Sequence, residues 1–286
     1  MNLPTWLLYI LILAVVSGPF YLSLRNIKKN KHEQLESTVR RLIWIPGIVA
    51  FGFRAYTNKG FDDVGFGLGQ LPWLFLVAWL APMLMEFLLI FFAARVGLAR
   101  LDPTLLQFQK GKVYINEALQ LLIGNETQSY LKFTFNLLLT LTVGAVMTLF
   151  FAFAEEFGWR GFLQAPLIQN FGLGSGLMLG GLIWGFWYAP MILIGYRFPE
   201  HPRAGAFIYW PIYTICLAII TGWLYWQSGS IWVAALFNAS TKVSGRVTSF
   251  ALGDAGDSHR VRVVWLWLWG SLAVFFLALW QVGGFQ

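Results

Sequence analysis

The stretch FTFNLLLTLTVGAVMTLFFAFAEEFGWRGFL (residues 133–163) decides how the rest of the chain is read. Residues 133–154 carry no charge, and roughly 20 apolar residues suffice for a helix to cross a hydrocarbon core about 30 Å thick. Two adjacent carboxylates, Glu155 and Glu156, then close the run, and Arg160 follows one helical turn later. Apolar runs of similar length recur along the chain at about 5–24, 42–56, 73–94, 174–196, 204–227, 230–247 and 263–283. They are continuous and lack a period of two, so they read as helices and not as strands of a barrel. The expected fold is therefore all-α, a polytopic membrane helical bundle of about eight transmembrane helices, with residues 1–286 as one integral membrane domain. The second run is short and holds Pro46 and Gly47, which fits a kinked or tilted helix. The seventh is weakened by Asn238 and Lys242.

Composition agrees. Of 286 residues, 58% are hydrophobic and 12% charged, with mean hydropathy +0.63; soluble domains average about 45–50% and 25%. Those values exclude a disordered chain, a collagen-like fibre and a water-soluble globule, and make the lipid bilayer the main partner. Cys216 is the sole cysteine, so no intramolecular disulfide and no cysteine-based zinc site is expected. Residues 1–5 hold no Lys or Arg and the basic cluster follows the first apolar run, an order that suits a retained first span better than a signal peptide. No internal repeat is visible. In the longest connection, roughly 95–131, residues 113–122 read as an amphipathic interfacial helix.

The net charge of +7 reflects membrane topology, not nucleic acid. With eight spans, the even-numbered loops hold only Arg54, Lys59 and Arg160. Lys132 and Lys242 lie in or beside spans. The other basic residues, including Arg25, Lys28, Lys29 and Lys31, fall in odd-numbered loops. The positive-inside rule then puts odd loops in the cytoplasm and both termini outside, in a multi-pass protein of the cell membrane.

Ionisable groups within membrane spans are costly and so mark function by default. On a helix Glu156 and Arg160 are i,i+4 neighbours able to pair, while Glu155 points about 100° away and has no partner in its own helix. Desolvation there would favour a general base; the alternative is a helix end at the interface with Glu155 solvated. In Trp184-Gly185-Phe186-Trp187-Tyr188-Ala189-Pro190, Trp184 and Tyr188 share a helical face; the plainer reading is an aromatic belt with close packing at the glycines. Ser228-Gly229-Ser230 is a tight turn, after which Asn238 and Lys242 share one face of the seventh span.

Together these segments resemble the CPBP family, the type II CAAX prenyl endopeptidases and bacteriocin-processing membrane proteases. Glu155-Glu156-Phe157-Gly158-Trp159-Arg160 matches the family's first motif in full. Trp184 to Pro190 fits the frame of the second, with Tyr188 in the histidine position. The third motif, histidine then asparagine or aspartate four residues on, reads Asn238 and Lys242. Phe61-Asp62-Asp63-Val64-Gly65-Phe66 is similar to an N-terminal family element. The resemblance covers about residues 60–250, the expected protease-like core.

The resemblance implies an intramembrane endopeptidase acting on membrane-associated peptides or proteins. Glu155 would be its water-activating base, with Glu156 and Arg160 structural or substrate-orienting. It leaves a divalent metal open as cofactor, but the ligand histidines are absent. Tyr188 cannot serve as a base near neutral pH, since a phenol's ordinary pKa is about 10. The three histidines, His32, His201 and His259, are expected in solvated loops. Tyr188, Asn238 and Lys242 retain hydrogen-bond donors suited to an oxyanion. The alternative is a catalytically inactive family member that binds membrane proteins or lipidated peptides, with Lys242 neutralising Glu155. Lys242 snorkelling away to the interface is the competing geometry.

Overall fold

The computed structural model describes residues 3–24 and 32–283. The basic residues Arg25, Lys28, Lys29 and Lys31 lie outside the described residues. The bundle is built from α1 (Thr5–Leu24), α2 (His32–Leu42), α3 (Ile45–Tyr56) and α4 (Leu74–Arg95), then α5 (Glu117–Ile123) and α6 (Tyr130–Gly158). A π-helical stretch (Trp159–Leu163) joins α6 to α7 (Gln164–Phe171), so that 42 residues form one long helix. After α8 (Leu173–Leu193), α9 (Pro202–Ala204) runs through a second π stretch into α10 (Trp210–Ser228); α11 (Ile231–Leu252) and α12 (His259–Gly283) complete the chain.

Every apolar run expected to span folds as a helix, but they are not equivalent. Among the described residues six helices are long and apolar enough to cross a membrane: α1, α4, α6–α7, α8, α9–α10 and α12. The 12-residue α3 reaches only about 18 Å at 1.5 Å per residue. Helix α11, at 22 residues, is long enough but carries Lys242 and Arg246 and is too polar to count by composition. The molecule is thus a polytopic membrane protein of the all-α class, a helical bundle with almost no strand.

Two expectations need correction. Residues 113–122 are not one amphipathic helix. A three-stranded antiparallel sheet forms from β1 (Leu106–Gln109), β2 (Lys112–Ile115) and β3 (Thr127–Ser129), with α5 between β2 and β3. The Lys110-Gly111 turn, with φ of 45° and 78°, closes β1 onto β2. Val113 and Ile115 then alternate inward with period two and pack on Leu119 and Ile123 in a small separate core. The second correction concerns charge. Arg54 and Arg160, assigned to loops, lie inside helical segments and are buried.

Close approach between helices uses glycine where a Cβ has no room. A Cβ on Gly158 would lie 2.6 Å from Pro46, and one on Gly47 2.5 Å from the Ala154 carbonyl, so α3 and α6 touch backbone to backbone. Likewise a Cβ on Gly181 would lie 2.5 Å from Ile215 Cα, so α8 and α10 also touch closely there. Small residues permit such contact in a bilayer, where packing and not water drives helix association. Gly181→Val is expected to cost about 1–3 kcal/mol, the usual range for overpacking. Gly180→Ala should be close to neutral, because its Cβ would meet only Leu167 Cδ1, at 3.5 Å. Thermal unfolding in detergent compares the two; equal losses would mean that the α8–α10 contact is not the constraint.

Candidate functional site

Helix α6 continues through Glu155 and Glu156 into the π stretch and on to Phe171. The carboxylates therefore do not sit at a solvated helix end. Both side chains are 0% exposed. A single π turn inside an α-helix is a common device at functional positions; here it carries Arg160, whose side chain reaches back to Glu156.

Three helices converge on Glu155. From α8, the Tyr188 hydroxyl donates to Oε1. From α11, Asn238 Nδ2 donates to Oε2 at 3.0 Å, and Lys242 Nζ lies 2.7 Å from the same oxygen. Asn238 Nδ2 also donates to Glu156 Oε1 at 2.6 Å, so one amide bridges both carboxylates; only its N–H side can do this. The i,i+4 spacing of Asn238 and Lys242 puts both on the face of α11 turned towards α6. Lys242 is 16% exposed at its side chain against 0% for Glu155, while its ammonium is held on the buried partner.

Glu156 has its own cation. Arg160 Nε stands 3.1 Å from Oε2, and Nη1 donates to Oε1 at 3.4 Å. The Nε–Oε2 pair is close but not aligned as a hydrogen bond, so the attraction there is Coulombic. Arg160 Nη2 donates to the Leu217 carbonyl on α10 at 3.3 Å, and the guanidinium lies 4.6 Å from the centre of the Trp184 ring. Trp184 and Tyr188 are both buried, which places them in the bundle and not in an interfacial belt.

The N-terminal element is tied to this motif by Arg54, at the end of α3. Arg54 donates to Asp63 Oδ1 at 2.6 Å and Oδ2 at 3.1 Å, to the Gly60 carbonyl, and to the Gly161 carbonyl at 2.6 Å. The Arg54 hydrogen bond holds the Asp63 carboxyl below the usual carboxylate range. Residues 65–70 in turn clasp the α10–α11 turn: Ile231 N donates to Gly65 O, Ser230 Oγ to Gly67 O and Gln70 N to Ser228 O. Gly65 (φ 72°) cannot carry a side chain, since a Cβ would lie 2.2 Å from Gly229 O. An arginine at the end of an apolar run with Asp63 nine residues on was the available signal for this clamp.

His201 and His259 are not among the cluster's hydrogen-bond partners. His201 is exposed, His32 opens α2, and His259 opens α12, where its Nδ1 is hydrogen-bonded with the Tyr209 hydroxyl. The loop assignment therefore holds only for His201. Among the described residues no three His, Cys, Asp or Glu side chains gather as metal ligands. The groups facing Glu155 are a phenol, an amide N–H2 and an ammonium, all acting as donors. That donor set does not fit a metal ion, because the position a cation would take beside Glu155 already holds Lys242.

What the fold and site define is a polytopic helical membrane protein with a buried carboxylate pair, each member held by its own cation and joined by one asparagine. Residues 136–243 match the family model described as type II CAAX prenyl endopeptidase Rce1-like. This segment contains Glu155, Glu156, Arg160, Tyr188, Asn238 and Lys242, and the match supports the CPBP resemblance of the motifs. No curated protein matches the chain.

Proposed function

We propose that this chain is a CAAX-protease-like membrane protein that binds membrane-associated proteins or lipid-modified peptides without hydrolysing them. The observation carrying this reading is the 2.7 Å Lys242–Glu155 pair. A general base needs a free acceptor within reach of a water. Here Oε2 accepts from Asn238 and Lys242, Oε1 accepts from Tyr188, and no part of Glu155 meets solvent. On this reading the carboxylate pair is a structural tie between α6, α8 and α11, and the chain acts as a single membrane domain.

A second reading, an endopeptidase with Glu155 as base, is favoured by the donors beside it. If the Lys242 ammonium swung outward along its partly exposed stem, Tyr188 and Asn238 would flank a freed carboxylate where an oxyanion needs donors. Purified protein in proteoliposomes, presented with a fluorogenic lipidated peptide, separates the two. The expected result is saturable binding with no turnover by the unmodified protein and by Glu155→Gln alike. Sustained turnover by the unmodified protein, lost in Glu155→Gln, would establish the endopeptidase instead.

For topology we infer that both termini lie outside the cytoplasm. With eight crossings both termini lie on one side and residue 110 on the other, and the burial of Arg54 and Arg160 removes them from the competing loop charge. A reporter inserted after Lys110 should read cytoplasmic and one at the C-terminus external; a cytoplasmic C-terminus would reverse the assignment.

A further inference from the structure

In an α-helix, residues five apart point about 140° away from one another. The stretch Trp159–Leu163 breaks that rule. The backbone N–H of Gln164 donates to the Trp159 carbonyl, a π hydrogen bond, and the side chains of Trp159 and Gln164 line one small cavity. The cavity has a volume of about 10 Å³ and lies between the π stretch, α8 and α10, with Arg160, Gly176 and Ala218 also in its wall.

Two of these lining residues carry unused hydrogen-bonding groups. Gln164 is 8% exposed, and its side-chain amide has no hydrogen-bond partner among the described residues. The amide reaches α10: a Cβ on Gly222 would lie 3.0 Å from its Oε1 and 3.2 Å from its Nε2, so only glycine leaves it room. Trp159 is 3% exposed, and its Nε1 is buried without a hydrogen bond. Arg160 adds no open capacity, because its guanidinium is committed to Glu156, the Leu217 carbonyl and the Trp184 ring. A buried amide or indole N–H left unpaired is costly.

We propose that this cavity binds one water molecule, held between the Gln164 amide and Trp159 Nε1. Size agrees, since a cavity of about 10–15 Å³ admits a single water and nothing larger. Chemistry agrees as well. An indole N–H only donates and a carboxamide oxygen only accepts, so the ligand must accept and donate at once. A metal cation cannot accept from the indole, and a simple anion cannot donate to the carbonyl; water does both. The π turn then has a physical role. It gathers a donor and an acceptor that a regular helix would send to different faces, and closes them around one solvent molecule beside the Glu156–Arg160 pair. The proposed function rests on the Lys242–Glu155 pair, so failure here leaves it untouched.

The sign of a stability change tests this, read by equilibrium unfolding of the full chain in a maltoside detergent. Gln164→Met keeps the length of the side chain and removes its hydrogen bonding. With the water bound, the variant loses a satisfied amide, and the unfolding constant is expected to rise about five- to tenfold. In a dry cavity the same change removes an unpaired polar group, and the constant would fall. Trp159→Phe is expected to act in the same direction. The double variant should show less than the product of the two effects, because one water serves both groups. Should a variant fail to fold, a high-resolution structure of the unmodified chain decides: one density peak is expected about 2.7–3.2 Å from both the Gln164 amide and Trp159 Nε1. Stabilisation by Gln164→Met, fully multiplicative effects, no peak at that position, or the elongated density of a lipid chain would overturn the proposal.

Discussion

Lys242→Met is expected to lower the stability of the solubilised protein by about 3–5 kcal/mol, the usual cost of leaving a buried charge without its partner. Glu155 is 0% exposed and would keep only the Tyr188 and Asn238 donors. Glu155→Gln should fall at the lower end of that range. Gln retains a carbonyl to accept from Tyr188 or Asn238, and the stranded ammonium, 16% exposed at its side chain, has a short route to the interface. The double variant should recover most of the loss, because no unpaired charge remains. Thermal unfolding in detergent and in lipid gives the four corners of the cycle. Additive losses would show that the pair does not interact, and the non-hydrolytic reading would lose its physical basis.

Arg160→Met should be comparably severe. It strips Glu156 of its cation and leaves one hydrogen bond, from Asn238, on a fully buried carboxylate. Glu156→Gln should cost less, since Arg160 keeps the Leu217 carbonyl and the Trp184 ring, and a desolvated cation–π contact is worth up to about 2 kcal/mol. Arg160→Lys should not rescue, because an ammonium cannot make the Glu156, Leu217 and Trp184 contacts at once. Unfolding midpoints of the three variants check the order; a Glu156→Gln loss exceeding that of Arg160→Met would mean that the guanidinium, not the carboxylate, is the costly group to strand.

Much of this site was legible in the chain. The spacing of Glu156 and Arg160 announced their pairing, and Lys242, one turn after Asn238 in a span without histidine, offered a partner for Glu155. Other features were not legible locally, for a consistent reason. The solvated helix end that was the alternative for Glu155, and the loop position of Arg160, both follow from the rule that charge normally marks the interface. Here the helix continues because α3, α8, α10 and α11 supply a protein environment beyond the last apolar residue. Arg54 looks like a loop charge for the same reason. Residues 113–122 have apolar positions compatible with a helix, yet the Lys110-Gly111 turn folds the first of them back as a strand, a choice that depends on the β1 partner.

Hydrophobic run length alone was sufficient for the helical membrane class, since a bilayer admits few ways to satisfy a backbone without water. Local spacing likewise carried the Glu156–Arg160 pair and the shared face of Asn238 and Lys242, because both are consequences of helical periodicity. Tertiary structure decided which side chains meet across helices: that Tyr188, Asn238 and Lys242 all end on Glu155, and that Arg54 joins Asp63 to Gly161. It also decided which of the expected spans are long and apolar enough to cross. Such contacts depend on the rotation and approach of whole helices, set by glycine contacts such as Gly158 on Pro46 and Gly181 on Ile215, and no local periodicity encodes them.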